Sequence, residues 1–279
     1  MVVVAVVAPG AMGAGVAQRL AEHGCDVRTL LGGRSEASAA RARGAGMVAV
    51  DEAGIAACDI ILSIVPPGEA LVLADRLAPA LSAATHRPVY ADCNAISPQT
   101  ALRVAEIVGV TGARFVDAGI IGLPPSPGGK APVFYASGPD AAALMPLDAL
   151  GIPVKLLSGP IGAASGLKMS YAGITKGSTA LAAAMMLAAT RFGAADDLRA
   201  ELAASQPHML QNAKRGIPGM FPKAYRWVAE MEEIADFAGE DEATRVIYQG
   251  IAKLYERLAR DFEGEQAEIG ALRHFVADF

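Results

Sequence analysis

From Val2 to about residue 135 the chain alternates short apolar runs with helix-length segments of mixed polarity. The runs are Val2–Val7, Val27–Leu31, Met47–Val50, Ile60–Val65, Val89–Asp92, Arg114–Ala118 and Val133–Ala136. Apolar runs of strand length separated by helical segments predict βαβ units and a doubly wound parallel sheet. From residue 161 the strand pattern disappears. Helix-forming stretches then cover 162–192, 196–214, 222–239 and 241–262. The change falls beside Ser158-Gly159-Pro160, so the pattern divides the chain into 1–160 and an all-α C-terminal domain, 161–279.

The first run ends in a glycine turn. Ala8-Pro9-Gly10-Ala11-Met12-Gly13 stands between a strand and the amphipathic segment Val16–His23. It has the spacing of GxGxxG with Ala8 in the first place. Such a turn aims helix N-terminal N–H groups at an anion, typically a pyrophosphate. Gly10 lets the backbone approach the phosphates, and Gly13 lets helix pack on strand. In this context the turn predicts a dinucleotide-binding Rossmann domain, with Gly10, Ala11, Met12 and Gly13 as cofactor contacts. A glycine-rich βα turn with no ligand has the same residues.

The end of the second run bears on which dinucleotide. An NAD site places Asp or Glu about 20 residues on, against the ribose 2′-hydroxyl. Here Leu31-Gly32-Gly33 fills that place and Arg34-Ser35 follows. A guanidinium and a hydroxyl suit a 2′-phosphate, so the reading is NADP, with Arg34 and Ser35 as its contacts. A solvated Arg in a βα loop is the plain alternative.

Composition narrows the classes. Net charge is −5 with no basic block, which argues against nucleic acid as a partner. Three scattered cysteines, Cys25, Cys58 and Cys93, fit a reducing cytoplasm and offer no metal site or disulfide framework. The opening apolar run lacks a basic flank and reads as a strand, not a signal peptide. The Ala-rich stretch 177–190, bounded by Lys176 and Arg191, is short for a membrane span.

Among candidate catalytic groups, Lys168 stands out by its surroundings. At helical spacing it shares a face with Ala164, Ser165, Tyr171, Ala172 and Thr175, a small and semi-polar surface. An ammonium there could give a proton to a carbonyl oxygen, or take one from an alcohol. A lysine snorkelling over its helix is the plain alternative. Lys176 is a weaker competitor that flanks the Ala-rich stretch. His208 reads as a surface or capping residue. Arg226, Glu230 and Glu233 near Trp227 read as a solvated ion-pair face. Asp196-Asp197 reads as a helix cap. The Pro/Gly loop Ser126-Pro127-Gly128-Gly129-Lys130 is a solvated connection, or a cover over the site with Lys130 facing an anion.

Taken in order, these segments resemble the β-hydroxyacid dehydrogenase superfamily, which includes 6-phosphogluconate dehydrogenase. Val7–Gly13 resembles its G-x-G-x-M-G opening. Val65-Pro66-Pro67 stands where the family has a Pro-containing loop under the cofactor. Asp92-Cys93-Asn94-Ala95-Ile96-Ser97-Pro98 resembles D-x-S-T-x-S-P. Phe115–Gly122 resembles F-V-D-A-P-V-S-G. Gly159-Pro160-Ile161-Gly162, followed by Lys168, matches the spacing to the family's catalytic lysine.

The resemblance implies that Lys168 is the acid/base group. It implies that Val65, Pro66 and Asn94 contact the cofactor. Asn94, Ala95, Gly122, Tyr171 and Ala172 then hold a small, anionic substrate. The substrate half departs from the family. Asn94 and Ala95 replace Ser and Thr, Ile121 replaces Ser, and Tyr171 and Ala172 replace an Asn pair. The expectation is an NADP-dependent dehydrogenase of a small hydroxy acid, or its keto or aldehyde form, from a divergent branch. The alternatives are an imine reductase-like enzyme and a non-catalytic NADP-binding protein. A homodimer through the Ala-rich helices is expected, with no membrane partner.

Overall fold

The computed structural model describes residues 2–125 and 129–277, so Ser126, Pro127 and Gly128 of the predicted Pro/Gly loop lie outside the described residues. Two compact units divide the chain, Met1–Met169 and Ser170–Phe279. The pattern of apolar runs puts the change near residue 160. The division falls later because the first turns of the seventh helix belong with the sheet.

The first unit contains β1 (Val3–Val7), α1 (Ala11–Glu22), β2 (Asp26–Thr29), α2 (Glu36–Gly44), β3 (Val48–Ala49), α3 (Glu52–Ala56) and β4 (Ile60–Ser63). Next come α4 (Ala70–Ala83), β5 (Val89–Asp92), α5 (Pro98–Gly109), β6 (Arg114–Ile121), β7 (Val133–Ser137), α6 (Pro146–Ala149) and β8 (Val154–Leu156). Helix α7 (Ala163–Arg191) starts in this unit and continues into the second. The strand order is β3-β2-β1-β4-β5-β6-β7-β8. All neighbours are parallel except β6 and β7, which pair antiparallel from Asp117↔Ser137 to Ile121↔Val133. The expected doubly wound sheet is therefore present, with one reversed strand pair and with β8 added. β8 is three residues long, and two of them are exposed, so it left no apolar run to read.

Both faces of the sheet are covered. Along β1, Val4 and Val6 enter a core with Val16 and Leu20 of α1. Ala5 and Val7 enter the opposite core with Leu73 and Leu77 of α4 and Val104 of α5. A strand buried on both faces reads as a continuous apolar run, which is why β1 is legible as Val2–Val7.

The second unit is helical: the rest of α7, then α8 (Ala195–Ser205), α9 (Pro207–Met220), α10 (Ala224–Phe237), α11 (Glu242–Glu263) and α12 (Ala267–Val276). The stretch 196–214, which reads as one helix, is two. Pro207 cannot donate an interior hydrogen bond and stands at the start of α9. Asp196 and Asp197 lie in the first turn of α8, not at its cap, which is Ala194.

Within this unit Glu230 is not a solvated charge. Its carboxylate pairs with the Lys176 ammonium, with side chains only 19% and 17% exposed for Lys176 and Glu230. The ammonium also lies 5.1 Å from the centre of the Trp227 ring. Trp227 meets Tyr255 edge-on at 5.2 Å, and the Tyr255 hydroxyl donates to the Lys176 carbonyl. By length and a mean hydropathy of 1.2, α7 is long enough to cross a membrane, unlike the stretch 177–190 alone. Its Lys176 is paired with Glu230 inside the helical unit.

Candidate dinucleotide and acid/base site

Strand register aligns one row of residues across five strands. Val7 pairs with Ser63, Ser63 with Asp92, Asp92 with Asp117, and Asp117 with Ser137 across β1, β4, β5, β6 and β7. Four of these five residues are polar, and all four are at most 1% exposed. Buried polar groups must be hydrogen-bonded, so this row must carry organised networks. It lies where ligands bind in open α/β sheets, outside the carboxyl ends of the strands. The order β3-β2-β1-β4-β5-β6 reverses direction between β1 and β4, and the glycine turn follows β1 there.

The turn has the clearances a pyrophosphate needs. A Cβ on Gly13 would stand 2.0 Å from the Ala8 carbonyl oxygen, so only glycine lets α1 start this close to β1. A Cβ on Gly10 would meet nothing within 4 Å, so the turn is open on the side a ligand approaches. Gly10 is the N-cap of α1 and no side chain caps the helix, leaving the first N–H groups of Ala11, Met12 and Gly13 for an anion. Ala11 is exposed, and Met12 is half-buried against the core below. These features fit a dinucleotide.

Beside the turn, Arg34 and Ser35 are exposed on the β2–α2 loop. Ser35 is the N-cap of α2, accepting from the Ser38 N–H. Arg41 was not singled out by the sequence. Its Nε donates to the Pro9 carbonyl oxygen at 3.0 Å, so α2 grips the glycine turn directly.

The first network lies under the β4 end. The Asn94 side-chain carbonyl accepts from the Val65 N–H at 2.7 Å. Its amide nitrogen donates to Ser63 Oγ at 2.8 Å and to Asp92 Oδ2 at 2.9 Å. Asn94 is 2% exposed. Its amide is directed at Val65, with Pro66 exposed next to it, and so shapes the loop that carries both. Ala95 is half-buried beside it.

The second network holds the catalytic candidate. Asp117 is fully buried. Its Oδ2 accepts from Ser137 Oγ at 2.8 Å, from the Gly162 and Ala164 N–H groups at 2.9 Å, and from the Ser165 N–H at 3.1 Å. Its Oδ1 accepts from Ser165 Oγ at 2.6 Å. No basic side chain is needed to place this carboxylate. The start of a helix offers both free N–H donors and the positive end of the dipole. Gly162 reaches its position at φ +99, a backbone region that disfavours other residues.

One turn into α7, the Lys168 Nζ donates to the Ile120 carbonyl oxygen at 2.6 Å. Gly119 makes this approach possible. A Cβ there would stand 2.8 Å from the Ala164 carbonyl oxygen and 3.2 Å from Lys168 Cβ. Gly122 is exposed just after β6. Tyr171 follows on the same helix at 51% exposure, whereas Ala172 is 3% exposed.

Gly10–Gly13 thus form the β1–α1 turn, Arg34 and Ser35 lie on the separate β2–α2 loop, and Lys168 stands against the Ile120 carbonyl near the end of β6. His208 is exposed on α9. Lys176 is tied to Glu230. Asp117, Ser137 and Arg41 are the residues that reading the sequence passed over. The available signal was polar residues in apolar strands, Asp117 in Phe115–Ile121 above all. Burial pushes the Cys58 thiol up to about 11 and the Cys93 thiol well above its usual range, so neither supplies a thiolate.

The class these features define is a nicotinamide-dinucleotide-binding domain. The family model of the NAD binding domain of 6-phosphogluconate dehydrogenase matches residues 3–142, and the chain belongs to that family. A domain family of unknown function, DUF1932, matches residues 189–258. An uncharacterised 28.5 kDa protein of Methanothermus fervidus is 26% identical over 215 residues, 76% of this chain and 81% of that protein.

Among solved structures, a conserved protein of unknown function described as similar to 3-hydroxyacid dehydrogenases is 28% identical. That match has a TM-score of 0.73 and covers 99% of this chain and 100% of that one. A 3-hydroxyisobutyrate dehydrogenase of Mycobacterium tuberculosis shares the fold at 19% identity and a TM-score of 0.76, covering 98% and 99% of the two chains. An imine reductase of Myxococcus stipitatus, solved with NADP+, shares it at 17% identity and a TM-score of 0.55, covering 99% and 100%.

Gly119→Ala tests the close approach of β6 and α7. Forcing a methyl group against the Ala164 carbonyl is expected to cost about 1–3 kcal/mol, read as a lower urea midpoint. An unchanged midpoint would contradict the geometry.

Proposed function

We propose that the chain is an NADP-dependent oxidoreductase acting on the CH–OH group of a small hydroxy acid, or on its keto or aldehyde form. The observation that carries this reading is the Lys168 amine, held 2.6 Å from the Ile120 carbonyl oxygen by a helix whose first turn is bound to Asp117. Bound nicotinamide supplies a hydride acceptor or donor. The N–H groups of the Gly10–Gly13 turn would hold its pyrophosphate, Arg34 and Ser35 its 2′-phosphate, and Val65 and Pro66 the loop under it.

In the oxidative direction Lys168, as the free amine, takes the hydroxyl proton while hydride leaves the carbinol carbon, and a carbonyl results. In the reductive direction the ammonium returns that proton to the oxygen. Gly122, Ala95, Tyr171 and Ala172 are the proposed substrate side, with Asn94 acting through the Val65 loop. In the reductive direction an anionic substrate would also meet the Lys168 ammonium there. The buried free thiols Cys25, Cys58 and Cys93 support a cytoplasmic setting.

The rival reading is imine reduction, with Tyr171 as donor. It is favoured by that phenol's 51% exposure one turn beyond Lys168. A screen of hydroxy acids, aldonates and cyclic imines by NADPH absorbance finds the substrate. Lys168→Met on that substrate is expected to keep NADPH affinity and lower turnover at least about 10²-fold. Full turnover would refute the assignment and move it to Tyr171. A wild type that binds NADPH but turns over nothing in the screen favours the non-catalytic reading.

We also propose a homodimer. Ile174, Leu181 and Met185 of α7 are 69%, 57% and 61% exposed, and Phe192 just beyond is 88% exposed. With Tyr171 they follow a spacing of three, seven, four and seven, one apolar stripe along the helix. A stripe of this length marks an interaction surface. Light scattering at micromolar concentration is expected to give twice 28.6 kDa, falling to the monomer in Leu181→Glu/Met185→Glu. A wild-type monomer would contradict it.

A further inference from the structure

We infer that Arg41, and not Arg34 alone, reads the 2′-phosphate of the cofactor; this rests on the NADP reading above and names a further residue that sets it. Arg41 lies on α2 six residues after Ser35, so Ser35, Ser38 and Arg41 recur every three residues along one side of the helix. They are joined in the structure. Ser35 Oγ and Ser38 Oγ are 3.2 Å apart, and Arg41 Nη2 donates to Ser38 Oγ at 2.9 Å. On its other side, Arg41 Nε donates to the Pro9 carbonyl at 3.0 Å, one residue before Gly10. A single guanidinium therefore spans from the glycine turn to the Ser38 hydroxyl in the first turn of α2, which in turn meets the Ser35 hydroxyl at the helix cap.

Both its partners are neutral acceptors. Among the described residues no carboxylate pairs with Arg41, and its Nη1 engages no acceptor. The nearest acid along the helix, Glu36, is held by Arg43 at 2.5 Å. Arg34, on the loop before α2, pairs with no carboxylate among the described residues either. Tethering Pro9 would use one N–H. The planar fork leaves further donors, fixed in direction by the two bonds already made, and such a fork suits phosphate oxygens. A phosphate monoester carries about two negative charges at neutral pH, which two guanidiniums balance. A lysine at this position has one ammonium and cannot hold Pro9 and a phosphate in the same fixed geometry.

The test measures affinities of the whole protein for NADPH, NADH, adenosine 2′,5′-bisphosphate and AMP, by fluorescence or calorimetry. Arg41→Gln is expected to weaken NADPH and the bisphosphate at least about tenfold, and NADH and AMP less than about twofold. Arg41→Lys guards against a folding defect, because the residue is exposed and the charge is kept. It is expected to weaken the two 2′-phosphate ligands at least about threefold while NADH affinity stays. Equal weakening of all four ligands would make Arg41 a tether for the glycine turn and overturn the inference. So would Arg41→Gln with its NADPH preference intact. If Arg34→Ala removes the preference in that case, the NADP reading stands alone. A wild type that binds NADPH and NADH equally overturns both.

Discussion

The proposed chemistry depends on one buried carboxylate. Asp117 stands in the middle of the sheet with no exposed surface, and it binds the first turn of α7 through three backbone N–H groups and the Ser165 hydroxyl. A desolvated charge is costly unless its lone pairs are filled, and here donors fill them on both oxygens. The cost of burial and the gain from the helix terminus are met at one point. That point sets where α7 begins, and therefore where Lys168 falls, one turn later. Gly119 sets the distance of approach, and the Ile120 carbonyl takes the amine. Sequence, helix start and side-chain position form one chain of causes.

The cofactor half is built differently. It depends on room, not on charge burial. Gly13 removes the atom that would strike the Ala8 carbonyl, and Gly10 leaves the turn open. Arg41 then reaches across from α2 to Pro9. The row Ser63, Asp92, Asp117 and Ser137 divides the labour between the halves. Ser63 and Asp92 orient Asn94 and hence the Val65 loop. Asp117 and Ser137 orient the helix with the lysine.

Much of this could be read from the sequence, for physical reasons. β1, β4 and β5 are buried on both faces, so they appear as apolar runs, and the glycine turn appears because the clearance at Gly13 admits no other residue. The family resemblance was carried by such segments, and the match over residues 3–142 agrees with it. What was hidden depended on register. Nothing in Phe115–Ile121 says that Asp117 faces a helix start 45 residues away at Gly162. Arg41 is an ordinary arginine in a polar helix until α2 is laid beside Pro9. Glu230 looked solvated because its partner, Lys176, is 54 residues distant. Short or exposed elements, β8 and the Gln206 break before α9, carried too little pattern to be seen.

The central claim is that Asp117 fixes the start of α7. Hydrogen exchange of the Gly162, Ala164 and Ser165 amides in Asp117→Ala tests it most directly. The substitution removes both carboxylate oxygens, and with them the acceptor of all three N–H groups. Those amides are expected to exchange at least about tenfold faster, while amides of β1 and α1 stay protected as before. Unchanged protection at Gly162, Ala164 and Ser165 would contradict the account.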